Sequence, residues 1–442
     1  MAPINVFARW RPLSQSERGR DEIDRGTHDR SGSFFSVALE RRDSVGTRPW
    51  TSPAAFRAVF ESEHDNYAVF NTVVAPHIPR ILRGENCTFF AYGHSGSGKT
   101  HTIFGYDFED SRQLGMCLGA AREIFDKLRY LNEEERGPAM GIGFSLFELR
   151  KKSAFDLLNN RTQCHIREGP DGKVHIRGET EILEGGKVRV CPIVQLVCWD
   201  FEEFRQQHIQ ALEQRATGSS SIHSQSSRTH AVLQLEIVSQ ALVDARHDLY
   251  DRQSELVPVG KRATDIRIEE DSKSAIRTPD GQWVPNPEYQ RDQGRIDAVE
   301  AEMAQFEGRV TAAEQRVHAV FKASSFPCLG AKMVFVDLAG AEYYEGNDTR
   351  LSSRNRAPQE LQEGRQINSD LLALKEVMRA TSQGQKRVPF RSSTLTMVLR
   401  EHFLNSGKGI STIIVTLSPA AEQFAATLNS LKYASLVGAA ST

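Results

Sequence analysis

The sequence predicts an α/β fold in which a central sheet, mostly parallel or mixed, carries helices on both faces. Two observations predict it. Short apolar runs typical of buried strands recur along the chain, as at 87–92 and 332–338. Between them lie longer segments whose apolar residues follow helical spacing, as at 118–131 and 366–380. Because the two patterns interleave from end to end, we expect one domain over residues 1–442.

The other elements are predicted from the same spacing and from turn residues. Strands are expected at 4–10, 33–39, 143–149, 231–238 and 410–417. Helices are expected at 67–83, 201–216 and 424–436. Pro76 and Pro79 interrupt the first of these helices, since proline lacks the backbone N–H that a helix interior needs. Glycine-punctuated alternation over 165–189 is typical of small hairpins.

Composition narrows the class of protein. Of the 442 residues, 39% are hydrophobic and 25% charged, which is typical of a globular chain. The chain has 55 lysines and arginines and 57 acidic residues, which gives a net charge of −2. The whole protein therefore provides no general basic field for nucleic acid. The sequence has no apolar run of about 18 residues, so we expect no membrane span. The six cysteines form no Cys-x-x-Cys pair, which argues against disulfide scaffolds and zinc ribbons. We expect a soluble protein of a reducing compartment.

Residues 241–327 do not follow the alternation of strands and helices seen in the rest of the sequence. They hold 12 basic and 16 acidic residues around a proline-rich middle. A heptad seam follows that middle, formed by Ile296, Val299, Met303, Phe306, Val310, Ala313, Val317 and Val320. A weaker seam precedes it, formed by Leu242, Ala245, Leu249 and Leu256. The pattern predicts a helical hairpin inserted between two core strands. Either the strong seam packs on its partner helix or the domain's flank, or it serves dimerisation or partner binding.

A phosphate-binding loop is the clearest chemical signal. The pattern Gly-x-x-x-x-Gly-Lys-Ser/Thr is fulfilled by Gly93-His94-Ser95-Gly96-Ser97-Gly98-Lys99-Thr100. The glycines let backbone N–H groups converge on phosphate oxygens. Lys99 supplies a cation for the β- and γ-phosphates, and Thr100 offers a hydroxyl to Mg²⁺. A strand leading in and a helix leading out favour the match, so the sequence predicts a nucleotide site.

Three further segments carry a resemblance to a known family. They are Arg9-Trp10-Arg11-Pro12, Ser226-Ser227-Arg228-Thr229-His230 and Asp337-Leu338-Ala339-Gly340-Ala341-Glu342. With the phosphate loop they resemble, in the family's order, the nucleotide-site motifs of the kinesin motor domain: its first strand, switch I and switch II. Family-like stretches recur along the chain outside 241–327. The resemblance implies a P-loop NTPase fold and a microtubule-stimulated, Mg-dependent ATPase that binds ATP and ADP.

The resemblance also implies which residues bind the nucleotide. These are Arg9, Arg11, Pro12, His101 and the loop residues Gly93, His94, Ser95, Gly96, Ser97, Gly98, Lys99 and Thr100. Among them, Arg11, Pro12 and His101 resemble an adenine clamp, made of cationic, apolar and aromatic faces that stack on a purine. The Mg²⁺ contacts are assigned to Thr100, Ser227 and, through water, Asp337.

The catalytic residues that the resemblance implies lie in the two switches. The hydroxyls of Ser226 and Ser227 match those that reach the γ-phosphate, Mg²⁺ and the attacking water. Gly340 matches the glycine whose backbone N–H senses the γ-phosphate. Arg228 and Glu342 match the salt bridge that closes the switches over the γ-phosphate.

The resemblance places a microtubule-binding face in 343–400, where ten basic and six acidic residues leave a local charge of +4. We expect the contacts to come from Arg350, Arg354, Arg356, Asn368, Lys386, Arg387 and Arg391. The helix at 366–380 matches the family's switch II helix, which connects the nucleotide site to this face.

Four positions depart from the family pattern. His223 stands in place of an asparagine and Ala341 in place of a serine, and each change removes a hydrogen-bonding partner near the switches. Thr394 and Met397 stand where the family usually carries a lysine and an arginine. Since the tubulin surface is acidic, each lost cation weakens encounter and affinity.

Two other functions compete with the motor. A non-motile or slow nucleotide-binding module would act on microtubules or another partner through 241–327. A nucleic-acid-dependent ATPase would need a strongly basic field, which the chain lacks, so no nucleic acid is expected as a partner. The leading prediction is an ATP-hydrolysing motor of the cytoplasm and its microtubule cytoskeleton. Dimerisation or partner binding would use either the helices of 241–327 or a C-terminal stalk outside this chain.

Overall fold

The computed structural model describes residues 4–17, 21–29, 32–40, 49–134, 139–169, 172–217, 228–279, 281–341, 358–404 and 409–439. The chain divides into two units. The first contains Met1–Arg177, Ile193–Ile237 and Pro327–Thr442. The second contains Gly178–Pro192 and Val238–Phe326, so it takes in most of 241–327 together with an earlier segment.

Seventeen strands and eleven helices lie within the described residues. The strands are β1 (Ile4–Trp10), β2 (Asp24–Asp29), β3 (Phe35–Glu40), β4 (Trp50–Thr51), β5 (Val59–Phe60), β6 (Cys87–Tyr92), β7 (Met140–Arg150), β8 (Ser153–Asp156), β9 (Thr162–Glu168), β10 (Val174–Ile182), β11 (Val188–Pro192), β12 (Leu196–Cys198), β13 (His230–Ser239), β14 (Ala275–Arg277), β15 (Trp283–Pro285), β16 (Lys332–Asp337) and β17 (Ile410–Leu417). The helices are α1 (Asn66–Val73), α2 (Ile78–Leu82), α3 (Lys99–Ile103), α4 (Met116–Glu134), α5 (Phe201–Thr217), α6 (Gln240–Ser274), α7 (Gln293–Ala323), α8 (Pro358–Ser382), α9 (Thr394–Val398), α10 (Arg400–Leu404) and α11 (Phe424–Ala439).

A large mixed sheet forms the centre of the first unit, in the order β9-β8-β7-β13-β16-β6-β17-β1-β5. The strands from β16 to β5 pair in parallel, with β6 between β16 and β17. The pairings of β13 with β16, β7 with β8 and β8 with β9 are antiparallel. Strands β2, β3 and β4 form a separate small sheet. The predicted α/β class, with a mixed central sheet, is confirmed.

Successive side chains of a strand point to opposite faces of this sheet, and both faces are buried at β6. On one side Phe89 stacks on Phe335 of the neighbouring strand, with ring centroids 5.3 Å apart. On the other side the ring of Tyr92 stacks at 4.0 Å on Tyr433 of α11. Every residue of β6 is buried. The apolar run at 87–92 predicts this burial, because a parallel strand is usually covered on both faces of its sheet.

The prolines divide the helical segment at 67–83, as expected. Asp65 caps α1 by accepting a hydrogen bond of 2.8 Å from the N–H of Ala68. Pro76 lies in a short 3₁₀ turn and Pro79 at the start of α2, where a missing backbone N–H costs nothing. Among the described helices, none has the length and apolar character to cross a membrane.

The second unit contains two long helices that pack against each other, α6 and α7. The ion pairs between them show that the two helices are antiparallel. Arg316 near the end of α7 lies 2.7 Å from Asp248 early in α6, and Arg295 near the start of α7 lies 2.9 Å from Glu269 late in α6. Ile296 of the heptad seam is buried, and the other seam residues of α7 are buried or half-buried. The apolar seam therefore packs within the hairpin.

Candidate nucleotide site

The phosphate loop connects the buried strand β6 to helix α3, at the end of the sheet where the parallel strands finish. Gly98 has φ +100°, a conformation that side chains other than glycine rarely adopt. Ser97 Oγ lies 2.7 Å from Thr416 Oγ1 of β17, which anchors the loop to the sheet. His94 is buried, donates from Nδ1 to the carbonyl of Ser95 at 2.8 Å, and burial lowers its pKa to about 4. The loop is therefore a fixed cradle with a neutral histidine inside it.

Lys99 lies inside this loop. Its Nζ donates to the carbonyl oxygens of Gly93 at 3.1 Å and His94 at 2.8 Å. Burial lowers the pKa of the lysine to about 8, although the nearby Asp337 carboxylate favours the cation. A buried ammonium is stabilised by an additional negative charge, and a phosphate oxygen supplies one. The environment of Lys99 therefore suits an anionic ligand.

The structure brings together two of the three predicted Mg²⁺ residues, and the third, Ser227, lies outside the described residues. Thr100 Oγ1 donates to Asp337 Oδ2 at 2.8 Å, although 237 positions separate the two residues. Asp337 Oδ1 is buried and accepts no hydrogen bond from any described residue. An unsatisfied buried carboxylate oxygen is costly and is the kind of ligand that Mg²⁺ takes. Within the ranges given above, no group of three or more His, Cys, Asp and Glu side chains could hold a metal ion. Since Mg²⁺ at nucleotide sites uses one or two protein groups plus phosphates and water, Thr100 and Asp337 fit it.

A buried network of charges continues from Asp337, and sequence reasoning missed it. Arg215 of α5 donates from Nη1 to Asp337 Oδ2 at 2.8 Å and from Nε to Glu148 Oε1 at 3.1 Å. Glu148, fully buried on β7, also accepts from Thr229 Oγ1 at 2.8 Å. Although desolvation opposes it, the two carboxylates raise the pKa of Arg215. The only signal in the sequence was a charged residue within an otherwise apolar strand, at Glu148.

In the predicted adenine clamp, Arg11 contacts Glu17 and the phosphate loop. Arg11 donates two hydrogen bonds of 2.7 Å to Glu17, and its Nε donates to the Gly96 carbonyl at 2.7 Å, so its guanidinium supports the loop. Arg9 instead lies near His101: burial and then the charge of Arg9 lower the pKa of His101 to about 4. Pro12 is exposed. The role of each residue toward a base stays a prediction.

The switch II backbone lies directly on the phosphate loop. A Cβ on Gly340 would lie 2.7 Å from the backbone N of Ser95, so only glycine fits there. The N–H of Ala341, the position where the family carries serine, donates to the Gly93 carbonyl at 3.2 Å. Arg228 Nη1 lies 3.9 Å from Glu363 of α8. Four of the predicted or divergent switch residues lie outside the described residues: Ser226, Ser227, Glu342 and His223.

The predicted filament face is described in part. Asn368 is half-buried on α8, and Lys386 and Arg387 are exposed after it. Arg391 donates to both carboxylate oxygens of Glu168, at 3.1 and 2.8 Å, and so is already paired. Thr394 and Met397 lie on α9. Arg350, Arg354 and Arg356 lie outside the described residues.

The pKa of Lys99 leads to a prediction for nucleotide affinity. Above pH 8 the free protein loses the lysine cation, whereas bound phosphate favours it, so the Kd for ADP should rise roughly tenfold between pH 7 and pH 9, most of it above pH 8. Isothermal titration calorimetry at pH 7, 8 and 9 measures this. Lys99→Met should bind weakly at every pH. The nearby His94 and His101, with pKa values of about 4, stay neutral throughout. Equal wild-type Kd values at pH 7 and pH 9 would contradict the prediction.

The chain is similar to known proteins over nearly its whole length. Kinesin-like protein KIN-13A of Oryza sativa subsp. japonica is 30% identical over 446 residues, which cover 99% of this chain and 41% of that protein. Kinesin-like protein KIF24 of Homo sapiens is 26% identical over 439 residues, which cover 99% of this chain and 24% of that protein. The chain thus spans less than half the length of these two relatives.

The fold and the family agree. A solved kinesin structure, from work on mutants that reveal a signalling pathway for activation of the kinesin motor ATPase, aligns with a TM-score of 0.60 and 18% identity. The alignment covers 99% of this chain and 98% of that one, and it shows a shared fold. The profile of the kinesin motor domain matches residues 9–260 and 244–439. Since that match takes in far more than half of the sequence, the resemblance is confirmed, and the chain belongs to the kinesin motor-domain family.

Proposed function

We propose that the chain is a microtubule-stimulated, Mg-dependent ATPase whose nucleotide state gates its affinity for microtubules. One observation carries the proposal: Asp337 Oδ2 accepts from both Thr100 of the phosphate loop and Arg215 of α5. Asp337 ends β16, and α5 leads directly toward the switch I segment. A single carboxylate therefore joins the loop, the switch II strand and the approach to switch I. A change at the phosphate end acts on all three together.

The binding step uses groups that the loop already holds in place. Lys99 and the loop backbone bind the phosphates, while Thr100 and Asp337 hold the metal ion. When bound, Mg²⁺ neutralises charge on the β- and γ-phosphates and so assists attack by water. Ser226, Ser227, Arg228, Gly340 and Glu342 are proposed to position that water and the γ-phosphate, following the family assignment.

The route from this site to the filament face runs through α8. Glu363 of α8 is nearly buried and lies 2.5 Å from Arg150 Nη2 and 3.9 Å from Arg228 Nη1. Arg228 belongs to the predicted switch I motif, so this carboxylate connects the nucleotide side to α8. Further along the same helix, Leu374 belongs to the core. Because a packed helix shifts as a unit, a change in the pairing of Glu363 is transmitted along α8.

The filament face is proposed to bind the acidic tubulin surface through Lys386, Arg387 and their neighbours. Both named side chains are exposed and follow α8 directly. The location that follows is the microtubule cytoskeleton. Dimerisation through the hairpin seam has no support in the packing, because the seam lies between α6 and α7.

Steady-state ATPase activity, with and without polymerised tubulin at low and moderate salt, tests the proposal. We expect strong stimulation that weakens as salt rises, because the face relies on exposed charges. Binding of ADP without stimulation at either salt would contradict the motor. That result would favour the second candidate, a non-motile nucleotide-binding module. Thr394 and Met397 support this candidate, since both lie on the predicted face in place of cations.

Glu168 gives a sharper test of the face. It pairs with Arg391 and, at 3.3 Å, with Arg400, and these two arginines lower its pKa. Glu168→Gln removes the negative charge and frees both cations, so we expect microtubule affinity in cosedimentation to rise by about two- to fivefold at low salt. Asp126→Asn is the matched control, because Asp126 pairs with Arg129 on α4 at 2.7 Å and should change nothing. An unchanged or weaker affinity of Glu168→Gln would contradict the assignment of this face.

A further inference from the structure

Tyr106 is a large aromatic side chain that lies in water beside the nucleotide site. Its exposed fraction is 69%. It follows α3 and Gly105, and its ring centroid lies 5.5 Å from that of His101, with the two planes tilted by 50°. His101 is the aromatic member of the predicted adenine clamp. The two rings therefore form an open corner next to the residue expected to contact a purine.

The segment that carries Tyr106 is held firmly, so the exposure of the ring is not explained by a loose loop. Gly105 pairs in an isolated bridge with the far end of the loop. Arg205 of α5 donates to the Phe108 carbonyl at 3.2 Å and to Glu109 Oε1 at 2.6 Å. An aromatic ring fixed in this way exposes apolar surface that a ligand can cover at little cost in conformational entropy.

The wall opposite Tyr106 is also fixed. Asn66 is fully buried and donates from Nδ2 to the His101 carbonyl at 3.0 Å. The pKa of His101, lowered to about 4, keeps that imidazole neutral at physiological pH. A neutral ring stacks on a base without the cost of burying a charge. The two rings therefore present uncharged faces, tilted by 50° to each other, to a ligand.

The phenol of Tyr106 lies within electrostatic range of the phosphate end of the site. Partial burial by neighbouring protein atoms raises its pKa, the charge of Asp337 raises it further, and the charge of Arg215 lowers it. The hydroxyl thus stays uncharged at neutral pH, so the side chain presents no charge to a bound base.

We propose that Tyr106 forms a further wall of the nucleotide site, packing its ring against the purine–ribose end of a bound nucleotide. The inference rests on the nucleotide binding proposed above and adds a specificity residue that lies outside the four sequence motifs. Tyr106 thus favours ligands that carry a base and a sugar over ligands that consist of phosphate alone.

Calorimetric titration with Mg·ADP and with Mg·tripolyphosphate, which lacks base and ribose, tests this role. Tyr106→Ala should weaken ADP binding about five- to tenfold, in the range of aromatic stacking on one base, and leave tripolyphosphate binding unchanged. Tyr106→Phe keeps the ring and should bind ADP within about twofold of the wild type. Tyr130→Ala is the matched control, because Tyr130 is an exposed tyrosine of α4 (59%) and should change neither affinity.

Three results would overturn the proposal while nucleotide binding stands, two of them in Tyr106→Ala. One is an unchanged ADP affinity in Tyr106→Ala. The other is an equal loss for ADP and tripolyphosphate, which would assign Tyr106 to loop structure alone. A wild-type chain that binds tripolyphosphate as tightly as ADP would also contradict it. If the wild type binds neither ligand, the proposed function itself fails, and the flat wild-type titration distinguishes that case.

Discussion

The carboxylate of Asp337 is the constraint on which the rest of the site depends. It is buried at the end of β16, where a charge must be compensated or it destabilises the fold. Thr100 and Arg215 donate hydrogen bonds to one of its oxygens. Arg215 also donates to Glu148, and Glu148 accepts a hydrogen bond from Thr229. This chain of hydrogen bonds fixes α3, α5, β7 and the start of β13 relative to β16. The other oxygen accepts no hydrogen bond from a described residue, and we propose that it faces the metal ion. Removing one partner of a buried pair typically costs about 3–5 kcal/mol, so the network is structural as well as functional.

The sheet explains why these residues meet. Parallel strands finish at one edge, so the loop after β6 and the switch II segment after β16 emerge side by side. Gly340 then approaches the loop so closely that a methyl group would collide with Ser95. Because the two segments are in contact, we propose that a phosphate bound by the loop also shifts the switch II segment. The family's division of labour between a phosphate loop and switches follows from this topology.

Much of the fold could be predicted from the sequence, because the signals are local. The apolar run at 87–92, the prolines at 76 and 79 and the spacing of Gly93, Gly98 and Lys99 each depend on neighbouring residues. The side-chain ion pairs could not be predicted, because they join residues that are far apart in the sequence. Arg215 pairs with Glu148 across 67 residues, and Arg391 pairs with Glu168 across 223. Arg391 therefore counts as a free cation in the sequence and as a paired one in the structure. Tyr106 belongs to no motif, so only its position beside His101 marks it.

The measurement that tests this account most directly is the Mg²⁺ dependence of ADP affinity in Thr100→Val and Asp337→Asn. In the wild type, we expect ADP to bind at least about tenfold more tightly with Mg²⁺ than with EDTA. Both variants should lose that difference, and Thr100→Val, which leaves the Asp337–Arg215 pair intact, should keep its Mg-free affinity. Thr72→Val, which alters an exposed threonine of α1, should behave as the wild type. Full Mg²⁺ dependence in both site variants would contradict the claim that this carboxylate and hydroxyl hold the metal ion.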